Sequence, residues 1–331
     1  MSVVKKCFRL LQLKQHFDSI PEREVVAYLR GWNRNLKSDN YGNLYLINPG
    51  TPLLCAHMDT VQREDSVKNL HTLRLNNWII KANDAVIWGD DKCWIAIAME
   101  IYEKLWNKVS LLFTRQEETG CNWASSFCLN HSDLLEQCTY CLVLDRRGAW
   151  DIIGYQNQYC SKEFEDEIYR LTKDFGYKPT SWLCSDTKHI ANHINGVNLS
   201  VWYYNPHRKD EFIKCDELVN ACNAAMYIVQ NFQWEYKKYE APKYDYSRYN
   251  NKYDDDRDDY RGGAYSKTYK NYKKWKSKDF FSETDLSKYF YVTPQWTIRV
   301  KKDIYLLNTE DDTNRAELEK WEYIVCEMTT I

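Results

Sequence analysis

The chain has 331 residues, with 45 basic against 47 acidic side chains and a formal net charge of -2. That length holds one large domain or two smaller ones with a sizeable core, and the near-neutral balance excludes a global electrostatic hold on nucleic acid. No run approaches the ~18 apolar residues of a membrane span, and the opening MSVVKKCFRLLQLKQHF is broken by polar residues where a secretory segment needs continuity.

Taken in chain order, Ser19 with Glu22 three positions later forms a capping box, and Pro21 suits a first helical turn. The helix then runs through Val25, Val26 and Leu29 and stops at Gly31. A strand is expected over 43–47 after the turn-forming Tyr41-Gly42, and a buried strand over 52–56. Residues 92–106 are apolar all round, as in a helix sunk against a sheet. Further buried strands are expected over 109–113, 141–144 and 196–202, with helices over 162–175 and 216–232. Strands alternating with helices predict an α/β fold, a mainly parallel sheet sandwiched by helices.

The pattern breaks after residue 235. From Tyr236 to Tyr272 there are ten tyrosines among Lys, Asp, Arg, Asn and Gly, with no Val, Ile, Leu, Met or Phe. Such a stretch cannot bury enough aliphatic surface to offset its ordering entropy. The organisation expected is a main domain over 1–235, a flexible linker over 236–279 and a small α+β segment over 280–331. That segment has strands at 296–300 and 304–307 and a helix at 315–325. The linker tyrosines could stack on single-stranded nucleic acid. Asp254-Asp255-Asp256 and Asp258-Asp259 would repel phosphates, which favours a solvated spacer.

In such folds ligands gather beyond the carboxyl ends of the strands. After the strand at 52–56 comes His57-Met58-Asp59-Thr60, and ahead of the long helix comes Gly89-Asp90-Asp91-Lys92. Gln116-Glu117-Glu118 follows the next strand, Asp145-Arg146-Arg147 the one after, and Asn205-Pro206-His207 the last. Carboxylates converging at strand ends repel one another unless a cation neutralises them. Nitrogen and oxygen donors without thiolates suit a hydrolytic zinc or manganese site.

The order H-x-D, D-D-K, E-E, D, H resembles the clan of co-catalytic metallo-exopeptidases, which includes tripeptidase T, glutamate carboxypeptidase, aminoacylase and deacetylase relatives, and single-domain zinc aminopeptidases. The match covers roughly residues 20 to 230, including Asn40-Tyr41-Gly42-Asn43 and Ser185-Asp186. The resemblance implies two divalent metal ions, zinc first and Mn2+ or Co2+ next, expected ~3.5–4 Å apart. It implies that His57 and Asp145 bind one ion, that Glu118 and His207 bind the other, and that Asp90 bridges both, with a strained or cis peptide to Asp91. Asp59 would orient His57 through its second ring nitrogen. Glu117 would be the general base, moving a proton from the metal-bridging water to the leaving amine.

The implied activity is amide-bond hydrolysis by an exopeptidase acting on small peptides. The alternatives are an N-acyl amino acid deacylase or amidase and a non-catalytic scaffold descendant. The stretches from Asp59 to Asp90 and from Asp145 to Asp186 are too short for the inserted domains of larger relatives, so a minimal catalytic domain without a lid is expected. Cys93 and Trp94 stand where many relatives have small residues, and their bulk either narrows the pocket or reshapes helix packing.

Arg146 and Arg147 clamp a substrate carboxylate or pair with a neighbouring acid. His189 and His193, four apart on an expected helix, lack the intervening Glu of a zincin. Cys138 and Cys141 lack the second pair of a structural zinc site, so buried thiols are expected. The twelve cysteines show no disulfide framework and read as free thiols of a cytoplasmic protein.

Overall fold

The computed structural model describes residues 2–13, 22–61, 73–76, 78–82, 85–148, 150–181, 185–201, 203–234, 290–292 and 298–300. The strands in chain order are β1 (Lys37–Ser38), β2 (Leu44–Leu46), β3 (Leu53–His57), β4 (Leu73–Asn76), β5 (Ile79–Ala82), β6 (Ser110–Thr114), β7 (Cys141–Arg146), β8 (Asp151–Ile153), β9 (Lys178–Thr180), β10 (Gly196–Ser200), β11 (Tyr203–Tyr204), β12 (Phe212–Lys214), β13 (Phe290–Val292) and β14 (Ile298–Val300). An eight-stranded sheet runs in the order β1-β2-β6-β3-β7-β10-β8-β9. Its centre is parallel: β3 pairs with β6 and β7, and β7 with β10. Antiparallel pairs appear outside it, between β2 and β6 and between β8 and β10. The carboxyl ends of four strands therefore lie along one edge, with His57 level with Thr114.

Alternation along the central strands splits the core in two. Leu54, Ala56, Leu111, Phe113, Leu142 and Leu144 belong to one buried cluster, and Leu53, Cys55, Leu112, Cys141 and Val143 to the other. Successive side chains of a strand point to opposite faces, so both faces must be covered. The first is covered by the helices Val3–Leu11, Gly89–Leu105, Lys162–Thr172 and Cys215–Asn231, which all contribute to its cluster, and the second by Asn122–Asn130 and Ser132–Leu135. This is the expected sandwich. Each leucine or phenylalanine so buried contributes about 1.5–3 kcal/mol of transfer free energy.

Several expectations change in detail. The first expected helix spans Arg23–Trp32 and passes through Gly31 instead of stopping there, with Glu22 at its N-cap position. Ser19 and Pro21 lie outside the described residues. The helix expected at 92–106 starts at Gly89, and Asp90 and Asp91 at its head are non-helical. Trp94 is fully buried and donates its Nε1 hydrogen to the Cys55 carbonyl, while Cys93 Sγ lies 3.8 Å from Cys7 Sγ. The bulk at these positions therefore goes into helix packing rather than the site.

The Val3–Leu11 helix carried no sequence expectation, because Lys5, Lys6 and Arg9 interrupt its apolar pattern. Lys6 is buried nonetheless, paired with Glu100 and Glu103 of the long helix. The stretch between Asp59 and Asp90 holds no inserted domain among its described residues. It does supply β4 and β5, which join β11 and β12 in a second, four-stranded sheet. Among the described residues between Asp145 and Asp186 stand β8, the helix Lys162–Thr172, its short 3-10 extension, a further 3-10 turn and β9. Strands β13 and β14 pair antiparallel, the latter within the strand expected at 296–300. The linker at 236–279, the strand at 304–307 and the helix at 315–325 lie outside the described residues. Among the described residues no helix is long and apolar enough to cross a membrane.

Candidate metal centre

His57 is the last residue of β3 and is 2% exposed. Its Nδ1 lies 2.8 Å from the backbone carbonyl of Asp59, which can only accept, so Nδ1 carries the proton. That fixes the tautomer and aims Nε2 at Asp90 Oδ1, 3.0 Å away, and Asp145 Oδ1, 3.5 Å away. A neutral ring so placed would set its lone pair against two carboxylate oxygens. Either a proton or a cation has to sit there. Burial opposes protonation of His57, but hydrogen bonds with Asp145, Asp59 and Asp90 outweigh it and raise the pKa well above the usual imidazole range.

Asp90 faces both ways. Its Oδ1 meets His57, and its Oδ2 lies 3.4 Å from His207 Nε2. His207 Nδ1 is 3.5 Å from Glu118 Oε1. The five residues expected as ligands (His57, Asp90, Glu118, Asp145 and His207) thus come together, although they stem from strand ends and loops far apart in sequence. The peptide between Asp90 and Asp91 is cis. Ligand atoms of His57, Asp90 and Glu118, of His57, Glu117 and Asp145, and of Asp90, Asp91 and Asp145 each group tightly enough to share an ion.

The donor set also passes a test of its own. Glu118 Oε1 and Asp91 Oδ1 are buried without a hydrogen-bond partner, and orphaned carboxylate oxygens beside imidazole nitrogens are what an ion would satisfy. Burial and the neighbouring Asp90 charge push the Asp145 carboxyl up to about 7. Burial, with Asp145 and Asp90 respectively next in effect, pushes Glu117 and Glu118 well above the carboxylate range. Such shifts mark charge that the protein alone does not neutralise.

Asp59 makes two sets of contacts. The ring of His57 is held mainly by the Asp59 carbonyl, and its carboxylate Oδ1 is 3.6 Å from Nδ1. The carboxylate instead accepts the backbone N–H groups of Glu117, at 3.1 Å, and Glu118, at 3.2 Å. Arg146 donates from Nε to Asp151 at 3.0 Å, and Arg147 is exposed. The helix Thr187–Ile190 ends before His193, so His189 and His193 do not share a helix. Cys138 and Cys141 are buried free thiols, as are the other eight described cysteines.

Three contributors went unread in the sequence. Cys121 donates its thiol to Glu117 Oε1 at 3.5 Å. Thr114 donates to Asp186, whose carboxyl is pushed up to about 6 chiefly by burial; the resemblance takes in Ser185-Asp186 but implies no role for it. Glu211 is buried against the head of the long helix, and burial pushes its carboxyl up to about 8 against the pull of the Gly89 N–H. Its only sequence signal was its place between His207 and the apolar pair Phe212-Ile213.

No protein-family model matches the chain, and no curated protein matches it. Solved structures do. Aminopeptidase PepT from Bacillus cereus is 16% identical, with a TM-score of 0.56 over 69% of this chain and 97% of that one. A tripeptidase from Staphylococcus aureus is 13% identical, with a TM-score of 0.55 over 69% and 97%. The TET1 peptidase of Pyrococcus horikoshii, 13% identical, matches with a TM-score of 0.54 over 69% and 99%. The chain therefore has the fold of these peptidases, as the order of its motifs implied.

Proposed function

We propose that the chain is a two-metal hydrolase that removes residues from the end of small peptides. One observation carries this: the Asp90 carboxylate lies between two histidines, His57 at 3.0 Å and His207 at 3.4 Å, with Asp145 and Glu118 beside them. His57, Asp145 and Asp90 Oδ1 would hold one divalent ion, and His207, Glu118 and Asp90 Oδ2 the other. Zinc suits these donors, with manganese or cobalt as substitutes. The solved aminopeptidases and tripeptidase of the same fold support the reaction class.

Bound ions of this kind acidify a water and polarise the scissile carbonyl. The rest falls to the chain's own side chains. Glu117 takes the proton of the attacking water and hands it to the leaving amine. Burial and the neighbouring Asp145 charge raise its pKa, which favours its taking up a proton. Asp59 holds Glu117 and Glu118 by their backbone N–H groups and keeps the His57 ring turned so that Nε2 faces the ion. His207 is 29% exposed, which leaves the centre open to a substrate. Arg147, exposed and two residues beyond Asp145, is our candidate for meeting a substrate carboxylate. Ten buried, unbridged cysteines suit a reducing cytoplasm.

The test is a panel of dipeptides, tripeptides and N-acetyl amino acids assayed with added Zn2+, Mn2+ or Co2+. We expect metal-dependent release of terminal residues, and a fall in kcat of about 10²–10⁴ in Glu117→Ala with ion uptake retained. Turnover confined to N-acetyl amino acids would assign a deacylase. Equal behaviour of wild type and Glu117→Ala on every substrate would leave the site without a catalytic role.

A further inference from the structure

Glu211 has no part in the chemistry above, yet it is among the most constrained carboxyl groups in the molecule. It is 1% exposed. Its Oε2 accepts the backbone N–H of Ile87 at 3.1 Å and of Trp88 at 3.0 Å, and its Oε1 accepts the N–H of Gly89 at 2.8 Å. These N–H groups stand at the head of the helix Gly89–Leu105, where backbone donors have no partner of their own within the helix. The side chain at the N-cap position, Trp88, makes no capping hydrogen bond, and the acceptor comes from 122 residues downstream.

The contact joins two pieces that both bear ligands. Asp90 follows Gly89 directly. His207 lies four positions before Glu211, on a loop closed by the Glu211 N–H donating to the Arg208 carbonyl at 3.1 Å. Past Glu211 the chain enters β12, which pairs with β5. The approach is tight: a Cβ on Gly89 would lie 3.0 Å from Glu211 Oε1 and 3.2 Å from the Tyr203 Cβ, so its neighbours would have to give way. His57 and Asp145 stand on β3 and β7 of the parallel sheet, so the ion they would hold has two ligands outside this contact and shares only Asp90 with it.

We infer that Glu211 is a positioning residue for one of the two ion sites: it ties the loop bearing His207 to the segment bearing Asp90, and so sets the span of the His207–Glu118–Asp90 site. This rests on the two-metal reading above. A glutamine at 211 keeps the shape but turns one acceptor oxygen into a donor. That sets it against Gly89, or against Ile87 and Trp88 together. The His207 loop then loses its anchor, while the His57–Asp145 pair keeps its own.

The experiment is a titration of the metal-stripped full chain with Zn2+ against a competing chelator, with Co2+ absorption as a second readout. Wild type should bind two ions. Glu211→Gln should bind the second ion about 10–100-fold more weakly, the usual effect of losing a group that orients a ligand, and the first ion, which shares only Asp90, should weaken less. The Co2+ signal of one site should fall more than that of the other. Gly89→Ala, whose Cβ would press on Glu211 Oε1 and on Tyr203, should weaken the second ion in the same direction and decides the matter if Glu211→Gln does not fold. Two ions bound at wild-type affinity in both variants would overturn the inference. So would a parallel loss of both ions, which would mark Glu211 as structural only. Wild type binding no ions would overturn the two-metal reading, and this inference with it.

Discussion

At the scale of single residues, the centre concentrates protons when no ion is present. Asp145 is moved by burial and the Asp90 charge from 3.8 to about 7, and Glu117 and Glu118 move the same way. His57 is also raised. Asp90 runs the other way: burial opposes ionisation, but the His57 hydrogen bond and charge bring its pKa below the usual value. Apart from Asp90, these groups hold more protons in the folded, metal-free chain than in the unfolded one, and stability falls wherever the folded state is the more protonated and pH rises. The share of Asp145 is complete below the unfolded carboxyl value and is lost as pH climbs through about 7. Denaturant unfolding of chelator-treated protein should therefore show lower stability at pH 8 than at pH 5. Added Zn2+ should restore more at pH 8, because ligation needs deprotonated side chains. Equal stability at both pH values, with or without Zn2+, would mean that these carboxyls are not held protonated by burial.

Among the secondary elements, the helix Gly89–Leu105 connects the core to the chemistry. Its head carries Asp90, and its body buries Trp94 beneath β3, two positions from His57 at the Cys55 carbonyl. Trp94→Ala should cost about 3–5 kcal/mol, as for other fully buried large side chains, read from the denaturation midpoint. A loss under about 1 kcal/mol would show that the helix does not rest on this residue. The body of this helix was legible because Ile95, Ile97, Met99 and Ile101 are apolar on every side. Its head was not, because Gly89, Asp90 and Asp91 resemble a loop in sequence, and the group that caps them arrives from Glu211. The Val3–Leu11 helix was missed for a related reason: Lys6 looks like a surface residue until Glu100 and Glu103 are brought against it. Local patterns do not reveal partners of that kind.

For the whole molecule, the parallel centre β6-β3-β7-β10 brings distant motifs to one edge. Most of the ligand types were legible because they follow apolar runs short enough to be buried strands, and Asp90 because it heads the long apolar helix. Their roles came from resemblance; what the sequence does not show is that Asp59 meets the His57 ring chiefly through its backbone carbonyl and accepts the N–H groups of Glu117 and Glu118 on its carboxylate. The second sheet was not legible, since β4, β5, β11 and β12 are short and belong together only once β12 lies beside β5. The most direct measurement is anomalous diffraction at the zinc edge from crystals grown with Zn2+. The account predicts two peaks, one on each side of the Asp90 carboxylate, the first held by His57 and Asp145 and the second by Glu118 and His207. A map with no peak at either place would contradict it.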